Sequence, residues 1–455
     1  MNDQPRIYSG ASPDRVRRDL APLLDFREEG LPLDALAAMI EGRLLPHLMR
    51  YEDPRFQSMF NGIAEEGAEL GARIALAYNQ GVTNWQVSPG GATLDEMCGR
   101  ALCLLFGFAP HADATFMTAG TYANQQALYL ALHRKAEDAG FDFARKGLRG
   151  FQDPARLAVL AAEDAHMSFR HAVRMLGLGE ECLVPVPVDQ NGRIDLDRFK
   201  GILAAAVRER DVVTVIATAG TTSMGAVDPL GPIADSCARL GIRLHVDGAY
   251  GLAYRLVPEW KPLFDGVERA DSVTWDPHKQ MGMPIPNSML FVRDGRDFGR
   301  MALHSSYFNR AESDVPNPGL KSAPTTRPMS ALALAASIRH LGLRGLVERL
   351  RAPLAAIRSL AEAMAGMDDA EVLHAPDTGV LCFRIIPPGA AADRLDALQL
   401  AIHDRILFDG RRTIATTVVR GHRALRLVAV SPAVTTDALL ETVVEARRLG
   451  RSISG

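Results

Sequence analysis

Lysine is scarce in this chain of 455 residues: of 51 basic residues only six are lysines, at positions 135, 146, 200, 261, 279 and 321, so positive surface charge is carried by arginine. Neither sign of charge dominates. A formal net charge of −3 offers no polybasic or acidic face, which argues against nucleic acid and anionic membrane as partners and leaves a small molecule as the expected ligand. No stretch reaches the roughly 18 consecutive apolar residues of a membrane helix, and the opening MNDQPRIYSGASPDRVRRDL has no apolar segment behind its charges. A cytoplasmic location is therefore expected. The five cysteines (Cys98, Cys103, Cys182, Cys237, Cys382) form no C-x-x-C pair, which excludes a zinc site or disulfide framework of the usual spacing and suggests buried thiols in a reducing compartment. Repeats, low-complexity tracts and long linkers are absent.

What is present is ordinary globular material, 47% apolar and 23% charged, at a length that calls for more than one subdomain. Residues 1–85 read as an amphipathic helical arm, broken at Pro46 and Pro54, with a long helix-periodic run from Phe60 to Ala77. Residues 86–345 alternate short apolar runs (TFMT, LAVLAA, VVTVIAT, IRLHV, SVTW, SMLFV) with helical stretches such as TYANQQALYLALHRKAED and DPLGPIADSCARLG. That rhythm predicts an α/β domain with a largely parallel sheet covered by helices. Residues 346–455 pass from helix-like RAPLAAIRSLAEAMAGM through strand-like GVLCFRII and ALRLVAV to a last helix near TTDALLETVVEARRLG, a smaller α+β domain.

In such a sheet, ligands bind beyond the carboxyl ends of the strands, and four strand ends carry chemistry. In TFMTAGTYAN, Gly120 allows close backbone approach, Thr121 offers a hydroxyl, and a helix N-terminus faces an anion; a capped glycine turn is the plain alternative. After LAVLAA comes His166, able to stack on a flat ring or to serve only structure. His171, five residues on, is badly spaced for a shared metal face, so no metal is expected. In IRLHVDGAYG an apolar strand delivers Asp247, costly to bury without a cation such as a protonated pyridine nitrogen; Gly248 and Ala249 leave room for a planar ring, and a helix-capping role is the alternative. In SVTWDPHKQMGMPIPNSMLFVRD, Lys279 lies among Trp275, Met281 and Met283, where desolvation makes an amine nucleophilic toward an aldehyde. A solvated structural lysine would not choose that setting.

With these motifs in this order, the chain from about Pro54 onward resembles the group II pyridoxal-phosphate decarboxylases, a family that includes glutamate, cysteine-sulfinate and aromatic-amino-acid decarboxylases. SVTWDPHK followed by MGMPIPNSMLFVRD is most similar to the glutamate and cysteine-sulfinate branch. The resemblance implies a homodimeric carboxy-lyase of fold type I (aspartate-aminotransferase-like) with pyridoxal 5'-phosphate as cofactor and active sites at the subunit interface. It makes Lys279 the Schiff-base lysine, Asp247 the partner of the pyridine nitrogen, and His166 the imidazole stacked over the ring. It places Gly120, Thr121 and His278 at the phosphate, with Thr222, Ala249 and Asp276 as further cofactor contacts. Arg426 matches the arginine that pairs with the substrate α-carboxylate, and Arg327 a second family arginine whose role is open, a surface position included. Tyr307 matches the loop tyrosine that protonates the substrate carbon, and residues 309–324 after it read as a lid.

There are departures. Tyr122 replaces the usual acidic residue, Ala92 stands where some relatives place a phosphate-contacting Thr with Thr93 beside it, and EDPRFQSMF leaves Phe56 and Gln57 as candidates to face the substrate side chain. Lysine and aspartate alone do not choose the bond that breaks, so an aldolase, lyase or transaminase is the rival reading. A silent binding protein of the same fold would be free to lose Lys279, Asp247 or His166, and all three are present.

Overall fold

The computed structural model describes residues 5–304 and 315–454, which fall into two compact units. The larger comprises residues 61–351 with 376–378, the smaller residues 1–60, 352–375 and 379–455.

The larger unit is built on a seven-stranded sheet: β1 (Asp113–Met117), β2 (Leu157–Ala162), β3 (Leu183–Val186), β4 (Asp211–Thr218), β5 (Arg243–Asp247), β6 (Ser272–Trp275) and β7 (Ser288–Val292), in the order β1-β7-β6-β5-β4-β2-β3. Strands β3, β2, β4, β5 and β6 run parallel. Strand β7 is antiparallel to both β6 and β1, and the two reversals leave β1 pointing the same way as the parallel set. Six strands therefore present carboxyl ends along one edge, which is where the candidate residues follow in the sequence. The sheet is buried on both faces, so its strands read as near-continuous apolar runs, LAVLAA and DVVTVIAT among them, rather than alternating ones. Trp275, fully buried at the end of β6, packs edge-on against Phe106 at 5.0 Å between ring centroids and leans on Phe291 at 6.2 Å. Aromatic pairs of this kind are worth about 0.5–1.5 kcal/mol beyond burial.

The predicted helices form at Gly120–Asp138 and Leu230–Leu240. The arm differs: the run expected from Phe60 becomes helix only at Glu66–Tyr78, because the Glu65 carboxylate accepts from the Ala68 N–H at 3.1 Å and caps the helix there. Helix Ser330–Met364 breaks at Gly342, whose φ of 62° lies in the left-handed region.

In the smaller unit, β8 (Ala370–Val372), β9 (Val380–Ile385), β10 (Ala415–Val419) and β11 (His422–Val428) form an antiparallel sheet in the order β10-β11-β9-β8. Helices Leu395–Asp409 and Thr436–Ser454 close a core that includes Leu381, Phe383, Ile402, Leu425 and Val443. The start of the chain completes this unit: the Ile7 N–H donates to the Gly410 carbonyl at 2.7 Å, and the Val428 N–H to the Gln57 carbonyl at 2.8 Å.

Candidate active site

Strand β5 ends in Asp247, which is 5% exposed. Its ending is locked to that of β6, since the Gly248 N–H donates to the Thr274 carbonyl at 3.0 Å and the Asp276 N–H to the Ala249 carbonyl at 3.0 Å. Asp247 Oδ1 accepts from the Ala249 N–H at 3.1 Å and Oδ2 from Asn124 Nδ2 at 3.1 Å. Among the described residues no cationic side chain forms an ion pair with it, so this buried carboxylate is held only by neutral donors.

One turn beyond β6, Lys279 Nζ lies 3.1 Å from Asp276 Oδ2, and His278 Nε2 lies 3.9 Å from the same oxygen. Asp276 is buried, and among the described residues its Oδ1 accepts no hydrogen bond. Gly120 abuts this carboxylate: a Cβ there would stand 2.7 Å from both Asp276 oxygens, so only glycine lets helix Gly120–Asp138 start here. That helix has no side-chain cap, and Thr121 lies half-buried in its first turn. The sequence neighbours of Lys279 that suggested an apolar setting, Trp275, Met281 and Met283, are all buried.

Two histidines are kept neutral here. Burial lowers the pKa of His166, outweighing the nearby Asp247 charge, and its Nδ1 accepts from the Ser168 N–H at 3.2 Å, which places the ring proton on Nε2. Burial lowers His278 as well; its Nδ1 lies 2.6 Å from the Asn287 carbonyl and 3.3 Å from the Asn287 N–H. Thr222 is exposed on the loop after β4, whose turn is made by Thr221 Oγ1 accepting from the Ala226 N–H at 3.1 Å.

The larger unit thus brings together Lys279, Asp276, His278 and Gly120, and, around Asn124, Asp247 and the segment of His166. Arg426, Phe56 and Gln57 belong to the smaller unit. There Arg426, buried on β11, donates to the Ser58 carbonyl at 3.2 Å and lies over the Phe60 ring at 5.5 Å. Phe56 packs against Tyr51 at 4.6 Å. The Gln57 side chain is occupied inside the unit: Oε1 accepts from Thr442 Oγ at 2.7 Å and Nε2 donates to the Pro54 carbonyl at 2.8 Å. Arg327 is a buried structural arginine rather than a surface one. It donates to Thr115 Oγ1 and the Phe116 carbonyl, both at 2.9 Å, and to Ser322, with Asp95 at 3.8 Å. Thr93 returns its hydroxyl to the Pro89 carbonyl. Tyr307 and the first part of the expected lid, through residue 314, lie outside the described residues; the rest is pinned, with Lys321 paired to Asp113 at 2.6 Å and the Gly319 N–H donating to the Thr83 carbonyl at 2.7 Å.

Sequence reasoning passed over Asn124, Ser168 and His245. A signal for His245 existed, because it precedes Asp247 by two and so shares its face of an otherwise apolar strand.

The chain matches the family model described as "Pyridoxal-dependent decarboxylase conserved domain" over residues 13–386. It belongs to the pyridoxal-dependent decarboxylase family. It is 30% identical to the L-2,4-diaminobutyrate decarboxylase of Rhizobium meliloti over 97% of this chain and 88% of that one, and 28% identical to human cysteine sulfinic acid decarboxylase over 88% and 83%. Among solved structures, the glutamate decarboxylase domain of diaminobutyrate-pyruvate transaminase and L-2,4-diaminobutyrate decarboxylase from Vibrio parahaemolyticus superposes with a TM-score of 0.88 at 25% identity, covering 99% of this chain and 92% of that one. The decarboxylase uses pyridoxal 5'-phosphate to convert an amino acid to its amine and carbon dioxide. Its residues fit that cofactor: a buried carboxylate without a cationic side chain suits a protonated ring nitrogen, an uncapped helix start suits a phosphate, and Lys279 offers an amine.

Proposed function

We propose that Lys279 anchors the cofactor covalently and that Asp247 keeps its ring nitrogen protonated, with Ala249 leaving space for the ring and Gly120, Thr121, Thr222 and His278 grouped around the phosphate. The observation that carries this reading is Asp247 itself, buried and held by two neutral donors, a carboxylate that lacks only its cation. When bound, the cofactor supplies an electron sink for the pair left behind by carbon dioxide. Asp276, 3.1 Å from Lys279 Nζ, orients the amine. His166, neutral with its proton on Nε2, offers the substrate a hydrogen-bond donor without a competing charge. Arg426 receives the α-carboxylate; its stacking on Phe60 and its bond to Ser58 set the guanidinium plane, while Phe56 and Gln57 shape the segment that supports it. Tyr307 returns the proton to the substrate carbon.

For the substrate we take L-2,4-diaminobutyrate first, since a relative so named matches 97% of the chain, and L-cysteine sulfinate second, on a relative covering 88%. We further infer a homodimer with active sites at its interface, supported by the exposed Leu70, Ile74, Leu76 and Tyr78 on helix Glu66–Tyr78, and a cytoplasmic location, supported by five buried cysteines with no disulfide among the described residues. The test is a carbon-dioxide-release screen of the purified, cofactor-loaded chain against these two amino acids, L-glutamate and L-tryptophan. Amine and carbon dioxide in equal amounts are expected from one of them, and none from Lys279→Ala. Keto acid in place of carbon dioxide, or full turnover by that variant, would overturn the assignment.

A further inference from the structure

Asn124 lies four residues, about one helical turn, after Gly120, is 1% exposed, and has every polar atom of its amide engaged. Nδ2 is 3.1 Å from Asp247 Oδ2 and 2.8 Å from Ser168 Oγ; Oδ1 is 3.0 Å from His245 Nε2. An ionised carboxylate only accepts, so the amide nitrogen must be the end that faces Asp247. Oδ1 then faces His245, whose Nε2 must carry a proton to meet it. The other ring nitrogen, Nδ1, lies 2.9 Å from Ser272 Oγ and accepts a hydrogen bond from that hydroxyl. The imidazole is thereby neutral and of one tautomer, in agreement with the burial that pushes His245 down to about 4. Its ring is also fixed from the side, edge-on to Phe169 at 5.8 Å.

The second hydrogen of Asn124 leads elsewhere. Ser168, which accepts it, uses its own backbone N–H to bond His166 Nδ1 at 3.2 Å. One amide therefore links the carboxylate of Asp247 to the segment that sets the His166 ring. Without Asn124, Asp247 keeps only the Ala249 N–H on Oδ1, and Oδ2 has no donor to stop the carboxylate turning about its last torsion.

We propose that Asn124 is a positioning residue for Asp247 and His166, and that His245 orients Asn124 by donating to its carbonyl. The inference rests on the proposed role of Asp247 toward the cofactor and adds the residues that make that role geometrically definite. Outer partners of metal ligands, which work the same way, carry about 10- to 100-fold in affinity or activity; a loss of that order in cofactor affinity is expected here.

The test crosses two properties of His245. His245→Phe keeps a ring against Phe169 and loses the N–H, whereas His245→Gln loses the ring and keeps an N–H at similar reach. Each variant is titrated with pyridoxal 5'-phosphate, following the visible absorbance and circular dichroism of the bound cofactor. Positioning predicts that Phe weakens binding about tenfold or more and shifts the band, and that Gln recovers most of the loss. A packing role predicts the reverse order, so Phe behaving as wild type, or Gln no better than Phe, overturns the proposal. Ser168→Ala, which removes one acceptor without burying a charge, gives a second route: a smaller loss in the same direction is expected, and unchanged affinity and spectrum count against the link to His166. Asp247→Ala separates the two layers. If it binds cofactor with the wild-type spectrum, the role of Asp247 is wrong; if it fails while the His245 and Ser168 variants match wild type, only the positioning inference falls.

Discussion

Replacing Gly120 by alanine tests the tightest contact in the site. The added Cβ would stand 2.7 Å from Asp276 Oδ1 and Oδ2 and 3.0 Å from Cγ, while unstrained non-bonded contacts begin near 3.5 Å, so the carboxylate has to retreat by about 0.8 Å. Its backbone cannot follow. The Asp276 N–H is bonded to the Ala249 carbonyl at 3.0 Å and its carbonyl to the Lys279 N–H at 3.0 Å, which leaves rotation of a short, buried side chain and loss of the 3.1 Å contact with Lys279. Overpacking of this kind costs about 1–3 kcal/mol. Thermal or urea unfolding of the apoprotein reads that cost directly, and cofactor titration reads the displaced Asp276. In the double variant with Asp276→Ser, the shorter side chain vacates the clash, and a favourable coupling of about 1 kcal/mol or more is expected between the two positions. If Gly120→Ala unfolds and binds cofactor as wild type does, the contact is not what requires glycine. If Asp276→Ser brings no relief, the strain lies in the helix start instead.

Two further outcomes follow from buried charges. Arg327→Met leaves Asp95 without its cation, which already sits at about 6 because burial outweighs the help of Arg327, and about 3–5 kcal/mol of stability should be lost in urea unfolding; Arg327→Lys should not restore it, because a single ammonium cannot reach Thr115, Phe116 and Ser322 together, and a fully stable Lys variant would refute this. His245 is neutral in the fold down to about 4 but takes a proton near 6.5 when unfolded, so its contribution is fully present above 6.5 and is lost as pH falls from there toward 4. Wild type should therefore lose stability relative to His245→Gln between pH 6.5 and 4.5, and parallel pH profiles would contradict it.

The parts of the site that the sequence makes legible are those in which one short segment carries both the element and the chemistry. Strand β5 delivers Asp247 as its own last residue, and Lys279 follows the end of β6 by four residues among the apolar Trp275, Met281 and Met283, so each charge stands out beside a strand readable from the sequence. The Asn124 network is different. Asn124 is separated from Asp247 and His245 by more than a hundred residues of chain and from Ser168 by 44, and each alone is an unremarked polar residue in a helix or strand. Arg327 illustrates the same limit, since nothing in TTRPMSALALA distinguishes an arginine on the surface from one whose fork is spent on β1. The helix expected from Phe60 started late for a local reason, the Glu65 cap, that periodicity does not register.

The smaller unit is assembled from both ends of the chain, and this has a consequence for biosynthesis. The backbone of Gln57 bonds to Thr413 and Val428, residues made some 350 positions later. At about 5–20 residues per second of translation, the first sixty residues wait roughly 20–70 s on the ribosome for their partners. Throughout that interval the larger sheet, whose strands all lie between residues 113 and 292, is free to form first and alone.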